Sequence, residues 1–259
     1  MMYENKPFPL IEDIFEIKNS NEKYVFTPLV SITFKNHPIL NNNSFHFISV
    51  WDTGSYAEDY FNDNRVDPRV IRFKYKNNKY SYLSNLNFPF INELKKAYEI
   101  IENNFIENLE YYLTPKSNRE FIDTLSKGCE LVHSTNEKFD KVEAGYYFEK
   151  ITKYLYTKKK FQKFNNINSD FTYSDTFIGL TTTKEKVIRE FHSEGKDKSE
   201  IIKNMLAKPN WIQTPEKLNY ENMIFIGSVS ESDFTNGTAE LYLFWDKEND
   251  FVYQISQRT

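Results

Sequence analysis

The apolar residues of this chain change their spacing twice along its length. Near the N-terminus Val30, Ile32 and Phe34 alternate with Ser31 and Thr33, the two-residue period of a half-buried strand. From residue 91 the period becomes three to four. Ile91, Leu94, Tyr98, Ile101, Phe105, Leu109 and Tyr112 make one apolar stripe along a helix. Past residue 222 short runs return at 223–229, 241–245 and 251–255, too short for buried helices and rich in β-branched and aromatic residues. Strands at both ends and helices between them define an α+β chain with a mostly antiparallel sheet from N- and C-terminal strands and a helical middle. A length of 259 residues reads as one such domain: strand-rich over 1–88, helix-rich over 89–206, strand-forming again over 207–259.

Turn and cap residues punctuate this pattern. Asn77 and Asn78 sit at the centre of residues 70–83, where a two-residue hairpin turn needs positive φ and asparagine tolerates it. Counting outward pairs Tyr75 with Tyr80 and Phe73 with Tyr82 on one face, and leaves Lys74, Lys76 and Lys79 on the other. Each aromatic pair contributes roughly 0.2–1 kcal/mol over alanines. Residues 45–51 form another strand after an Asn-rich turn, whereas residues 10–17 show no clear period.

In the helical middle, Pro89 suits a first helical turn and Thr114-Pro115 ends the stripe. Ser117 and Glu120 predict a capping box for a second helix, which stops before Gly128. A third helix covers about 142–164 with Tyr147, Ile151, Tyr154 and Leu155 inward, weakened by about 1 kcal/mol at Gly145. A strand-like stretch at 171–180 leads to two short helices, capped by Thr182 with Glu185 and Asp197 with Glu200. Gly195 closes the first and Pro209 ends the second. Asn236-Gly237 marks a further turn, and a five-residue loop joins the last two strands.

The last fifty residues hold Pro209-Asn210-Trp211-Ile212-Gln213, a strand with Phe225-Ile226-Gly227, then Leu241-Tyr242-Leu243-Phe244 and a terminal Tyr253-Gln254. In this order they resemble the C-terminal part of the YwqG-like family of uncharacterised bacterial proteins, over about residues 205–257. The family pattern places a Gly-Gly or Gly-Tyr pair before the proline, where this chain has Ala207-Lys208. The Cys-x-x-Cys of some relatives is replaced by residues 218–222, so the resemblance implies no metal there. Phe234-Thr235-Asn236-Gly237 stands where many members carry Trp-Gly-Asp. The family has no established activity, so the resemblance implies a fold neighbourhood and not a reaction.

Bulk properties narrow the classes of function. A net charge of −4 and a pI near 5.7 lack the basic footprint of a nucleic-acid binder. The single cysteine, Cys129, excludes an intrachain disulfide framework and fits a reducing compartment. No apolar run approaches the roughly 20 residues of a membrane helix. Residues 1–6 lack the charged-then-apolar pattern of a secretory signal, so the expectation is a soluble cytoplasmic protein outside the membrane.

Candidate chemistry is sparse. None of His37, His46, His133 and His192 has metal-ligand spacing, and His46 shares a strand face with Ile48 and Val50, which reads as a hydrogen-bonded core histidine. Cys129 and His133 are four apart, but Gly128 reads as a helix end and structural zinc wants four ligands. Asp52, Glu58, Asp59, Asp63 and Asp67 form an acidic stretch without the offsets of a calcium loop; it reads as a solvated loop, or as an acidic surface for a basic partner. Lys158-Lys159-Lys160 with Lys163 reads as the cationic last turns of a helix. Gly227-Ser228-Val229-Ser230 lacks the second glycine of a nucleophile elbow. Trp211 and Gln213 lie between Pro209 and Pro215 in a segment that cannot be helical throughout. A tryptophan held this way is more often a core plug than a ligand platform, and Trp211 and Gln213 are the binding candidates on the alternative reading.

These readings assign no catalytic residue, no metal and no cofactor. They lead to a non-enzymatic protein-binding module, binding through Trp211, Gln213, Asp59 and Asp63 to a basic protein such as a toxin. The specific expectation is an immunity factor against a co-encoded toxin. The alternatives are a hydrolase-type enzyme with a carboxylate-lined cleft over residues 52–67, or a small-ligand-binding protein.

Overall fold

Asn77 and Asn78 both take positive φ, 53° and 62°, and close the hairpin between β4 (Val70–Lys76) and β5 (Lys79–Tyr82). Tyr75 lies opposite Tyr80 and Phe73 opposite Tyr82, the register the two asparagines predict. The computed structural model describes residues 2–16, 21–51, 70–83, 86, 91–114, 116–135, 140–165, 173–174, 181–182, 201–213 and 220–258. The chain is α+β and divides into two compact units. One comprises Met1–Phe88, Lys198–Asp233 and Thr238–Thr259; the other comprises Pro89–Asp197 and Phe234–Gly237.

The first unit holds two antiparallel sheets. In the smaller, β1 (Met2–Pro7), β2 (Phe26–Lys35) and β3 (Ser44–Val50) lie in chain order, with one-turn helices α1 (Ile11–Ile14) and α2 (Glu22–Val25) between the first two strands. The larger sheet has the order β5-β4-β10-β9-β8, with β8 (Ile224–Ser230), β9 (Glu240–Asp246) and β10 (Phe251–Gln257) from the C-terminal segment. Its middle strand, β10, pairs with β4 on one side and β9 on the other. Strands from the two ends of the sequence therefore share one hydrogen-bonded sheet.

Aromatic side chains fill the space between the sheets. Phe15 stacks on Phe26 at 5.1 Å between centroids, and both meet Phe73 edge-on. Phe45 stacks on Tyr75 at 5.2 Å and touches Trp245. Such pairs contribute about 0.5–1.5 kcal/mol each beyond the area they bury. The free edge of β3 is directed at the face of the larger sheet. Its alternate amides at Ser44, His46 and Ile48 donate to Asn78 Oδ1 (2.9 Å), Tyr80 OH (2.8 Å) and Gln254 Oε1 (2.9 Å). Gln254 Nε2 returns a bond to the Ile48 carbonyl at 2.7 Å, so one amide side chain continues the strand ladder. An edge that would otherwise expose a row of donors is thereby closed by side chains.

Four expectations for this unit are revised. β1 was not signalled, because its Glu4-Asn5-Lys6-Pro7 stretch lacks apolar alternation; it is held by its register with β2. β2 is buried on both faces and not half-buried, with Ser31 6% exposed beside His46. Residues 202–208 are not the end of a helix. Lys203 exchanges both backbone bonds with Ser228, and Leu206 N–H donates to the Ile226 carbonyl, so the segment runs along β8. The loop between β9 and β10 has four residues, since Phe251 pairs with Asp246.

The second unit contains α3 (Ile91–Glu107), α4 (Leu109–Leu113), α5 (Asn118–Thr135), α6 (Lys141–Asn165) and a two-residue ladder of β6 (Tyr173–Ser174) and β7 (Thr181–Thr182). The stripe that predicts one helix to Tyr112 is broken at Asn108, between α3 and α4. Ser117 and Glu120 form the capping box reciprocally: Ser117 N–H and Oγ–H donate to Glu120, and Glu120 N–H donates to Ser117 Oγ.

Helix α5 does not stop before Gly128. A Cβ there would lie 2.2 Å from Phe148 Cε1 of α6, so the glycine is a notch for a neighbouring ring and not a C-cap. Asp140 Oδ1 caps α6 at Val142 and Glu143 N–H. The predicted strand at 171–180 is described only at 173–174. The cap pairs of the following helices, apart from Thr182, lie outside the described residues. No helix of the described residues is long and apolar enough to cross a membrane.

Candidate functional site

Strand alternation gives the larger sheet a second face, opposite the one packed on β3. Phe225, Tyr242, Phe244, Tyr253, Ile255 and Val70 form a buried cluster there, and Trp211, Tyr220, Met223 and Phe251 pack on it half-buried. Trp211 lies nearly parallel to Phe244 at 5.7 Å, with Tyr242 at 4.6 Å and Tyr220 at 5.5 Å. It is neither a fully enclosed plug nor a free platform. One part of the ring contributes to the cluster and the rest stays at the surface, beside Ile212, which is 43% exposed.

The backbone carrying Trp211 is held by side chains of β9 and β10. Tyr242 OH donates to the Asn210 carbonyl at 2.7 Å and accepts from Ile212 N–H at 3.2 Å. Gln257, 1% exposed, accepts from Ile212 and Gln213 N–H through Oε1 at 3.1 and 2.9 Å, and donates from Nε2 to the Gln213 carbonyl at 2.5 Å. Gln213 itself points outward, its side chain donating to the Arg258 carbonyl at 2.8 Å. Burial of the Tyr242 hydroxyl holds its pKa above the usual value near 10, so it remains a neutral donor.

Upstream, the same strap is anchored on β8. Asn204 and Leu206 take positive φ, 51° and 54°, where it turns. Gly227 sits at a register shift in β8, where a Cβ would come within 2.6 Å of Ile202 Cγ2. Ser228 Oγ donates to Glu240 at 2.7 Å, and Lys203 pairs with the same carboxylate at 3.6 Å.

Of the predicted binding residues, Trp211 and Gln213 are thus neighbours on one face, while Asp59 and Asp63 lie outside the described residues. The structure adds Tyr242 and Gln257, which position the strap, and Gln254, which serves the opposite face. A polar side chain at a buried strand position needs a bonding partner, and that was the available signal for all three. The pairing of Gln257 with 212–213, some forty-five positions away, follows only from the strap's path.

The His46 and Ser49 clusters are bonded internally. His46 is 3% exposed; its Nδ1 meets Ser31 Oγ at 2.6 Å and its Nε2 the Asn78 carbonyl at 2.8 Å. The carbonyl can only accept, so Nε2 carries the proton and Ser31 donates to Nδ1. Burial lowers the His46 pKa to about 4, against the raising effect of the Asn78 carbonyl and Asp13. Ser49 Oγ, fully buried, donates to the buried Glu231 carboxylate.

Cys129 and His133 do share one helix, contrary to the reading of Gly128 as its end. Cys129 Sγ donates to the Lys141 carbonyl at 2.9 Å, and no three His, Cys, Asp or Glu side chains gather for a metal among the described residues. What the Trp211 face offers chemically is a rigid aromatic surface, suited to contact more than to bond-making. In comparisons with known proteins the chain matches no family model, no curated protein and no solved structure.

Proposed function

We propose that this protein acts by binding another protein, using the Trp211 face as its apolar anchor. The observation that carries the reading is a half-buried tryptophan beside exposed Ile212, on a backbone fixed by Tyr242 and Gln257. Tryptophan and tyrosine dominate interface hot spots, and a surface fixed before contact loses less entropy on association. The partner is a basic protein, and the specific form of the proposal is a cytoplasmic immunity factor against a co-encoded toxin. The net charge of −4 and the acidic residues between 52 and 67 support that choice through electrostatic steering.

The YwqG-like relationship belongs to the same proposal. It is supported by the meeting of its signature residues in one assembly, with Trp211 on Phe244, Gln213 beside Gln257, and Gly227 in the neighbouring strand. The test is affinity capture from the native host, followed by association kinetics with the protein recovered. A basic protein is expected, and Asp59→Lys with Asp63→Lys should slow association more than it speeds dissociation, with an effect that shrinks as salt rises. Recovery of no protein partner, together with turnover of a small substrate by the purified chain, would defeat the proposal.

A further inference from the structure

We draw no further inference here: the strongest candidate, the buried His46 cluster where β3 meets the β4–β5 turn, rests on a titration shift alone, because both ring nitrogens are already bonded and nothing among the described residues there forms a cavity or a hinge.

Discussion

Gln254 and His46 show how single polar side chains hold the two sheets of the first unit together. Gln254 is 2% exposed and satisfies both the N–H and the C=O of Ile48. Gln254→Leu keeps most of the volume but strands both backbone groups, which should cost on the order of 2–4 kcal/mol in urea melts. Gln254→Glu can still accept from the Ile48 amide but, when ionised, cannot donate to its carbonyl, so it should not restore the wild-type midpoint. His46 gives a pH dependence of defined sign. Its folded pKa, about 4, lies below the ordinary 6.5, so between these values the unfolded chain binds a proton that the folded chain refuses. The His46 contribution is therefore full above about pH 6.5 and is lost as the pH falls toward 4, by up to roughly 3 kcal/mol. The slope of stability against pH in that window should exceed that of His46→Gln by up to about one proton. Equal slopes would show that the histidine is not the titrating group. The sequence placed His46 correctly on an apolar strand face. It could not reveal Ser31 and Asn78 as partners, because they come from a neighbouring strand and a distant turn.

Elements were legible where a local rule decides them and illegible where a neighbour does. The Asn77-Asn78 hairpin and the Ser117–Glu120 capping box follow from chemistry within four residues, and both form as their residues dictate. Gly128 is the opposite case. Locally it is a helix stop, but the Phe148 ring occupies the space of the missing side chain and α5 continues to Thr135. Alanine at 128 would gain about 1 kcal/mol of helix propensity. The ring is 1% exposed and has little room to move, so overpacking should outweigh that gain. Gly128→Ala is expected to be net destabilising by about 1–3 kcal/mol, and Phe148→Leu in the same chain should recover part of the loss. A more stable Gly128→Ala would mean that the two helices do not pack through this notch. The candidate site was legible to a similar degree: the prolines drew attention to Trp211 and Gln213, but Tyr242 and Gln257 needed the fold.

On the scale of the whole molecule, β10 ties the ends of the sequence together, since it is the middle strand between the N-terminal hairpin and the C-terminal β9. Its two faces have different tasks. Gln254 and Val252 face the inter-sheet core, while Tyr253, Ile255 and Gln257 support the strap that presents Trp211. A strap fastened to a middle strand inherits the rigidity of the sheet, the property that protein recognition at low entropic cost requires. The strap also sets the expectation for Trp211→Ala. The ring is only half-buried, so the substitution should cost about 1–3 kcal/mol of stability, less than the 3–5 of a fully enclosed aromatic. The decisive measurement is the dissociation rate of the partner captured from the native host, compared between the wild-type chain and Trp211→Ala under conditions where both remain folded. A rate faster by about 30-fold or more is expected if Trp211 is the anchor of the interface. An unchanged dissociation rate, with only the melting point lowered, would make Trp211 a structural side chain and contradict the proposed binding face.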